Sequence, residues 1–339
     1  MAFSRVTTIG ALNVVALGAL LGAAALGRTV PGARAVVPEG ASPTLVYAVN
    51  EYGYSVTAFR QSANGNAAPT VDISGSETKI YEPVGLAVAR SGQVAVSDSG
   101  NDITLYAAGA NGNVAPVGTI TCGRGGDPGV PGQIAFDERG NLYAEYYGGY
   151  HAPSDAIEVY KPSEQSGCVT GKHVLFGAKT GISSFGGIAV AGGTIYNSSG
   201  NGVLEFHTSD NGNVAPFNVI EGAKTGLSQA NGIAVDKNGY LYIANANDVR
   251  VFAPGASGNA KPVAVISGSN TLIPQPGSGY GALSIAAGKD GSIFVGVQYD
   301  TNVSSILVFA AGSNGNVAPE HIITGAKTGL DWVAELGIL

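Results

Sequence analysis

One hexapeptide recurs along this chain as a structural period. Asn64-Gly-Asn-Ala-Ala-Pro69 returns as Asn111-Gly-Asn-Val-Ala-Pro116, again ending at Pro216 and at Pro319, and as Ser257-Gly-Asn-Ala-Lys-Pro262. A second pattern, Gly232-Ile-Ala-Val-Asp236 with Asn238-Gly-Tyr-Leu-Tyr-Ile243, is echoed from Gly85, Gln133, Gly187 and, more weakly, Ser284. A third, Gly-Ala-Lys-Thr-Gly, begins at Gly177, Gly222 and Gly325. Repetition at about fifty residues means stacked or radially arranged units, each unable to bury its apolar face alone. Within each unit, four short runs rich in Val, Ile, Tyr and Phe are separated by turn residues. In the clearest unit these runs, a to d, are Ile233–Val235, Tyr240–Ala244, Val249–Phe252 and Val263–Ile266. β-Branched and aromatic residues bounded by Asn-Gly turns predict antiparallel hairpins. The Asn-Gly-Asn segment between c and d is a turn that accepts positive φ, so it reads as folding chemistry rather than a ligand site.

Counting fixes the architecture. The b, c and d runs each occur six times, with b runs near Leu45, Val94, Leu142, Thr194, Leu241 and Ile293, while internal a runs occur five times. The first unit opens at Leu45–Val49 without an a run, and the chain ends in Trp332-Val-Ala-Glu-Leu-Gly-Ile338. The tail therefore supplies the missing inner strand. A sheet made from both chain ends closes a ring and protects it from fraying. The expected fold is all-β: a six-bladed β-propeller of four antiparallel strands per blade. Its 45 % apolar content gives it a core, and its 12 % charged content with 52 Gly suits short strands and tight turns.

The Gly-Ile-Ala-Val-Asp…Gly-Tyr-Leu-Tyr-Ile-Ala-Asn hairpin resembles the NHL-repeat class of six-bladed propellers, over nearly all of the chain after its N-terminal segment. The resemblance is specific for fold and nearly silent on function. Related six-bladed folds include gluconolactonase/senescence-marker hydrolases and peptidyl-hydroxyglycine lyases, streptogramin lyases look similar but usually have seven blades, and NHL-like repeats serve widely as binding platforms. The Trp-Asp dipeptide of WD repeats and the sialidase Asp box are absent.

Residues 1–35 read as an export signal. Arg5 starts it, an apolar Ala/Leu-rich run spans Ala11 to Gly27, and Ala33-Arg34-Ala35 follows the helix breaker Pro31, with cleavage expected after Ala35. The alternative is an uncleaved anchor, since the run approaches spanning length. A linker, 36–43, then leads into the propeller, 44–339. The expected product is a monomer that is secreted, periplasmic or at the cell surface, with no membrane-spanning segment after processing. A net charge of −7 argues against nucleic-acid partners. Cys122 falls at the outgoing end of one d run and Cys168 in the loop entering the next. Those lie a strand's length apart, roughly 17 Å, where a disulfide tolerates about 7 Å between Cα atoms. Two separate thiols are the expectation. The sequons Asn197-Ser-Ser199 and Asn302-Val-Ser304 are expected at exposed b–c turns, and neither is expected to be used.

No motif nominates a reaction. His173 and His321 fall on outer d runs, His207 ends a c run and His151 lies in a long insertion, and no zinc, nucleophile-elbow or phosphate-loop spacing is present. No catalytic residue, metal or cofactor is assigned. If there is chemistry, it lies at the channel mouth, where Glu82, Gln229, Asn231 and Glu335 form a sparse polar set. The gluconolactonase resemblance implies that such a set would hold one divalent cation such as Ca²⁺ for a hydrolase or lyase, although hard cations want about six or more oxygens. The preferred reading is a binding or scaffold module for a protein or a carbohydrate, through the face made by the b–c turns. That face collects Tyr52, Asp98, Asn101, Glu145, Tyr146, Tyr147, Tyr150, Asn245, Tyr299 and Asp300. Rigid amphipathic Tyr beside amides and carboxylates suits recognition, while many Asn and Asp there simply make turns. The cluster Tyr143, Tyr146, Tyr147 and Tyr150 stands out because it falls in the one b–c segment lengthened by insertion, Tyr147–Asp155.

Overall fold

The computed structural model describes residues 44–100, 102–121, 129–148, 155–169, 173–183, 186–277, 281–300 and 303–339. Six four-stranded antiparallel sheets make up this part of the chain. The fifth blade runs Ala230–Val235, Leu241–Asn245, Asp248–Phe252, Ala264–Ile266, close to the runs read from sequence. The first blade is built from Val333–Ile338, Leu45–Asn50, Ser55–Arg60 and Val71–Ser74, in that spatial order. Val46 pairs with Ile338, Ala48 with Leu336 and Val49 with Glu335, so the tail is the inner strand of the sheet begun at the head. Among the described residues no helix is long and apolar enough to cross a membrane.

The core is six apolar clusters, one between each pair of neighbouring blades. Val249 and Ile266 of the fifth blade, for example, meet Ile285, Val295 and Phe309 of the sixth. Each such buried side chain contributes about 1.5–3 kcal/mol over exposure. Both faces of every sheet are covered in this way, which is why strand burial runs are nearly continuous rather than alternating.

The two most frequent motifs turn out to be halves of one joint. The Asn-Gly-Asn turn of each blade reaches across to the outer strand of the blade before it. Gly112 N donates to Asp72 O at 2.7 Å, and Gly315 N to Val265 O at 2.7 Å. The second Asn of the turn then accepts from the backbone of the following Gly-x-x-Thr loop. Asn113 Oδ1 takes Glu77 N at 2.8 Å, Asn213 takes Lys179 N at 2.8 Å, Asn259 takes Lys224 N at 2.6 Å, and Asn66 takes Lys327 N at 2.7 Å. The loop's Gly has to be Gly. Gly222 has φ +116°, and a Cβ there would sit 2.8 Å from Cγ of Asn259. The loop's Thr is buried and closes the turn, as Thr225 Oγ1 does by donating to Gly222 O at 2.7 Å.

This joint corrects the expectation for the cysteines. Cys168 is disulfide-bonded, and Cys122, the chain's only other cysteine, lies outside the described residues. The distance reasoned along one strand did not apply, because the turn carrying Cys168 crosses to the neighbouring blade. Gly167 N donates to Thr119 O at 2.7 Å and Thr121 N to Gly167 O at 3.2 Å. In sequence register, Ser166-Gly-Cys168 stands where other blades have Asn-Gly-Asn, and Ile120-Thr-Cys122 where others have Ile-x-Gly. In that register a cysteine pair stands where other blades have the Gly and Asn of the joint.

Candidate functional site

Each loop from an outer strand to the next inner strand ends at the mouth of the central channel. In three blades the last residue of the second strand holds that loop in place. Asp98 Oδ2 accepts from Tyr81 N at 2.6 Å and Glu82 N at 3.1 Å; Asn245 Oδ1 accepts from Ser228 N at 2.8 Å; Asn50 Oδ1 accepts from Asp331 N at 3.3 Å. On the loops held by these three buried polar groups, Tyr81 and Gln229 are exposed and Trp332 is half-buried.

The mouth carries two adjoining features. One is a cavity of about 480 Å³ whose wall includes Gln229, Asn231, Asn247, Leu283, Gln298 and Trp332. Asn231 Nδ2 donates to Ala282 O at 3.0 Å and Asn247 Nδ2 to Pro274 O at 2.8 Å, so both amides are fixed. The other is an aromatic strip. Trp332 packs on Tyr52 with ring centroids 5.3 Å apart, and Tyr54 stacks on Tyr81 at 5.5 Å and 11°. Tyr52, Tyr54 and Tyr81 are 53 %, 44 % and 64 % exposed. Trp332 belongs to both features. Three of the residues that build them, Tyr54, Ala246 and Trp332, hold φ near +50° without being Gly. Left-handed backbone costs an L-residue roughly 1–2 kcal/mol, and such strain concentrates where geometry matters for function.

The residues nominated from sequence are distributed unevenly. Tyr52 lies on the strip, while Asp98 and Asn245 are buried holders of loops rather than contact groups. Glu145 and Tyr146, expected on the surface, are buried, and the reason is that the second strand of the third blade runs through Leu142–Tyr147 before the turn begins. The Tyr146 hydroxyl pairs with that of Tyr160 at 2.9 Å, and Tyr160 donates to Glu158 at 2.8 Å. Burial pushes the phenols of both tyrosines well above their ordinary range. Glu145 accepts from Asn197 Nδ2 of the fourth blade inside the sheet stack, and burial holds its carboxyl well above the usual range against that bond. Asn197 is itself fully buried on Thr194–Ser199, which corrects the expectation of an exposed sequon there. Tyr147 is half-buried and lies over Gly132, leaving no room for a side chain at that position. Tyr299 donates its hydroxyl to Leu272 O at 2.9 Å, with burial raising it to about 12, and Asp300 is exposed. Asn101, Tyr150 and Asn302 lie outside the described residues.

The four channel candidates do not come together. Gln229 and Asn231 line the mouth cavity, whereas Glu82 is exposed and accepts from Ser99 Oγ at 2.6 Å. Glu335 sits farther in, among apolar inner-strand residues, and burial pushes its carboxyl up to about 8. A carboxyl in that state is a poor ligand for a hard cation. Among the described residues no three or more His, Cys, Asp or Glu lie close enough to hold a metal ion. Tyr81 was not found from sequence, although an aromatic directly before the Glu82-Pro83 start of an inner strand falls on the same loop as Trp332 does in the closing blade.

No protein-family model matches this chain, and no curated protein matches it. Among solved structures, it is similar to a protein of unknown function from Bacteroides caccae, at 11 % identity and a TM-score of 0.62, covering 88 % of this chain and 99 % of that one. Likeness at that identity shows a shared fold and goes no further, and the class, a six-bladed propeller, is given by the sheets themselves.

Proposed function

We propose that this protein is an exported, NHL-like propeller that acts as a binding module, meeting its partner at the channel mouth. The observation that carries the reading is the group of exposed tyrosines at the mouth, Tyr54 stacked on Tyr81 and Tyr52 packed on Trp332, the last of which also lines the cavity. Folded proteins bury most large aromatics, and neighbouring exposed ones beside a concave polar pocket are the usual composition of a recognition surface. Export is supported by the signal-like pattern of residues 1–35 and by the disulfide at Cys168, a bond that persists in oxidising compartments. The test compares wild type with a Tyr54→Ala/Tyr81→Ala variant for retention on fractionated envelope polysaccharide and envelope protein from the producing cell. Retention of the wild type that falls in the variant supports the reading, and equal retention of both refutes it. Mass spectrometry of the exported protein should find a chain beginning at Val36.

A further inference from the structure

We propose that the ligand at the mouth is an uncharged oligosaccharide, with one sugar ring in the cavity and an adjoining ring on the aromatic strip. This rests on reading the mouth as a binding face and names what it takes. The first argument is charge. Among the described residues lining the cavity there is no Lys, Arg, Asp or Glu. A charged group entering it would lose water and find no counter-charge, which is strongly unfavourable. Just outside, Glu51 and Glu82 lie close enough to raise the Glu51 carboxyl, after burial, by mutual repulsion. Two acids beside the strip select further against an anionic ligand.

The second argument is hydrogen-bonding format. Asn231 and Asn247 each commit one N–H to a backbone carbonyl, at 3.0 and 2.8 Å, which locks the amide plane. What each has left is a carbonyl oxygen and a second N–H, an acceptor next to a donor. A sugar hydroxyl is itself both donor and acceptor, so neighbouring hydroxyls on one ring match such an amide without any charge. Exposed Gln229 offers the same pair from the adjoining position.

The third argument is the strip. One face of a pyranose presents only C–H groups, which are apolar and weakly positive. The face of an aromatic ring is apolar and weakly negative. Tyr54 and Tyr81 stack within 11° of parallel, so Tyr54 supports one side of the Tyr81 ring while Tyr81 leaves most of its surface to solvent. The cavity of about 480 Å³ is within the small-ligand range. It is too confined for a folded protein surface.

The chain has a single Trp, and because that residue is Trp332, its emission reports on this site alone. Purified exported protein is titrated with cello-, xylo-, manno- and chitohexaose, with polygalacturonate as the anionic control and decaproline as the peptide control. A neutral hexaose should shift Trp332 emission saturably, with the same midpoint in 0.05 and 1 M NaCl. Tyr81→Ala should weaken that binding roughly 3- to 10-fold, the usual worth of one aromatic contact. Tyr240→Ala, another exposed tyrosine placed on the turn after an inner strand, should leave it unchanged. Emission that responds only to polygalacturonate or to decaproline overturns the neutral-sugar assignment while keeping the mouth as a binding face. No response to any of the six overturns the neutral-sugar assignment, the mouth as a binding face being judged separately by retention of wild type against Tyr54→Ala/Tyr81→Ala, and equal losses in Tyr81→Ala and Tyr240→Ala place the binding elsewhere.

Discussion

Substituting Gly222 by Ala tests the joint between the fourth and fifth blades. Two costs can be worked out. At φ +116° an Ala is strained by roughly 1–2 kcal/mol. Its Cβ would also fall 2.8 Å from Cγ and 3.1 Å from Cβ of Asn259, so the Asn must swing away and lose its 2.6 Å bond from Lys224 N, worth about 1 kcal/mol. Gly222→Ala should therefore cost about 2–3 kcal/mol. Asn259→Ala removes only the bond and should cost about 1 kcal/mol. Because both substitutions break the same bond, the double variant should cost about as much as Gly222→Ala alone, a coupling of roughly 1 kcal/mol. Urea unfolding, with unchanged slope and shifted midpoint, reads all four corners of the cycle. A Gly222→Ala variant within 0.5 kcal/mol of wild type, or a double variant that is strictly additive, would refute this account of the motif.

Two further outcomes follow from burial and cross-linking. Cys168→Ser should lower stability by about 4 kcal/mol, the entropy of releasing a loop of roughly 45 residues, and an alkylating reagent should label neither cysteine until the protein is reduced; labelling of both without reductant would contradict the disulfide. Glu335, held protonated by burial up to about 8, binds a proton in the folded state that the unfolded chain has released above about 4.5. Its contribution to stability is therefore complete below the unfolded pKa and is lost as pH rises through about 8, with a slope of up to about 1.4 kcal/mol per pH unit in between. Glu335→Gln should flatten urea-midpoint profiles between pH 5 and 8, and an unchanged slope would show that this carboxyl is not the source.

The ring and its closure were legible because a period survives divergence of individual residues. Six b, c and d runs against five internal a runs left one place for Trp332–Ile338, and the ladder from Val46↔Ile338 to Val49↔Glu335 occupies it. Side-chain direction was not legible. In a blade both sheet faces are packed against neighbours, so alternation along Leu142–Tyr147 does not separate inside from outside, and Glu145 and Tyr146 could be taken for surface residues. The cysteines failed for a related reason. A turn read within one repeat gave no sign that it docks on another, as Gly167 does on Thr119. The aromatic strip joins residues from the second-to-third-strand turn of one blade, the entry loop of the next and the far end of the chain. Tyr52 was legible on the b–c face, but Tyr81 joins Tyr54 only where the second blade packs on the first, and Trp332 joins Tyr52 only when the tail closes the ring.

That dependence of the site on closure is open to direct measurement. Hydrogen exchange of the backbone amides of Val333–Ile338, followed by mass spectrometry of the native protein, reports whether the tail is an inner strand. Protection matching that of Leu45–Asn50, with both segments released together as urea is raised, is the predicted result. Exchange of the tail within seconds, while Leu45–Asn50 stays protected, would show that Trp332 is not delivered to the mouth by closure.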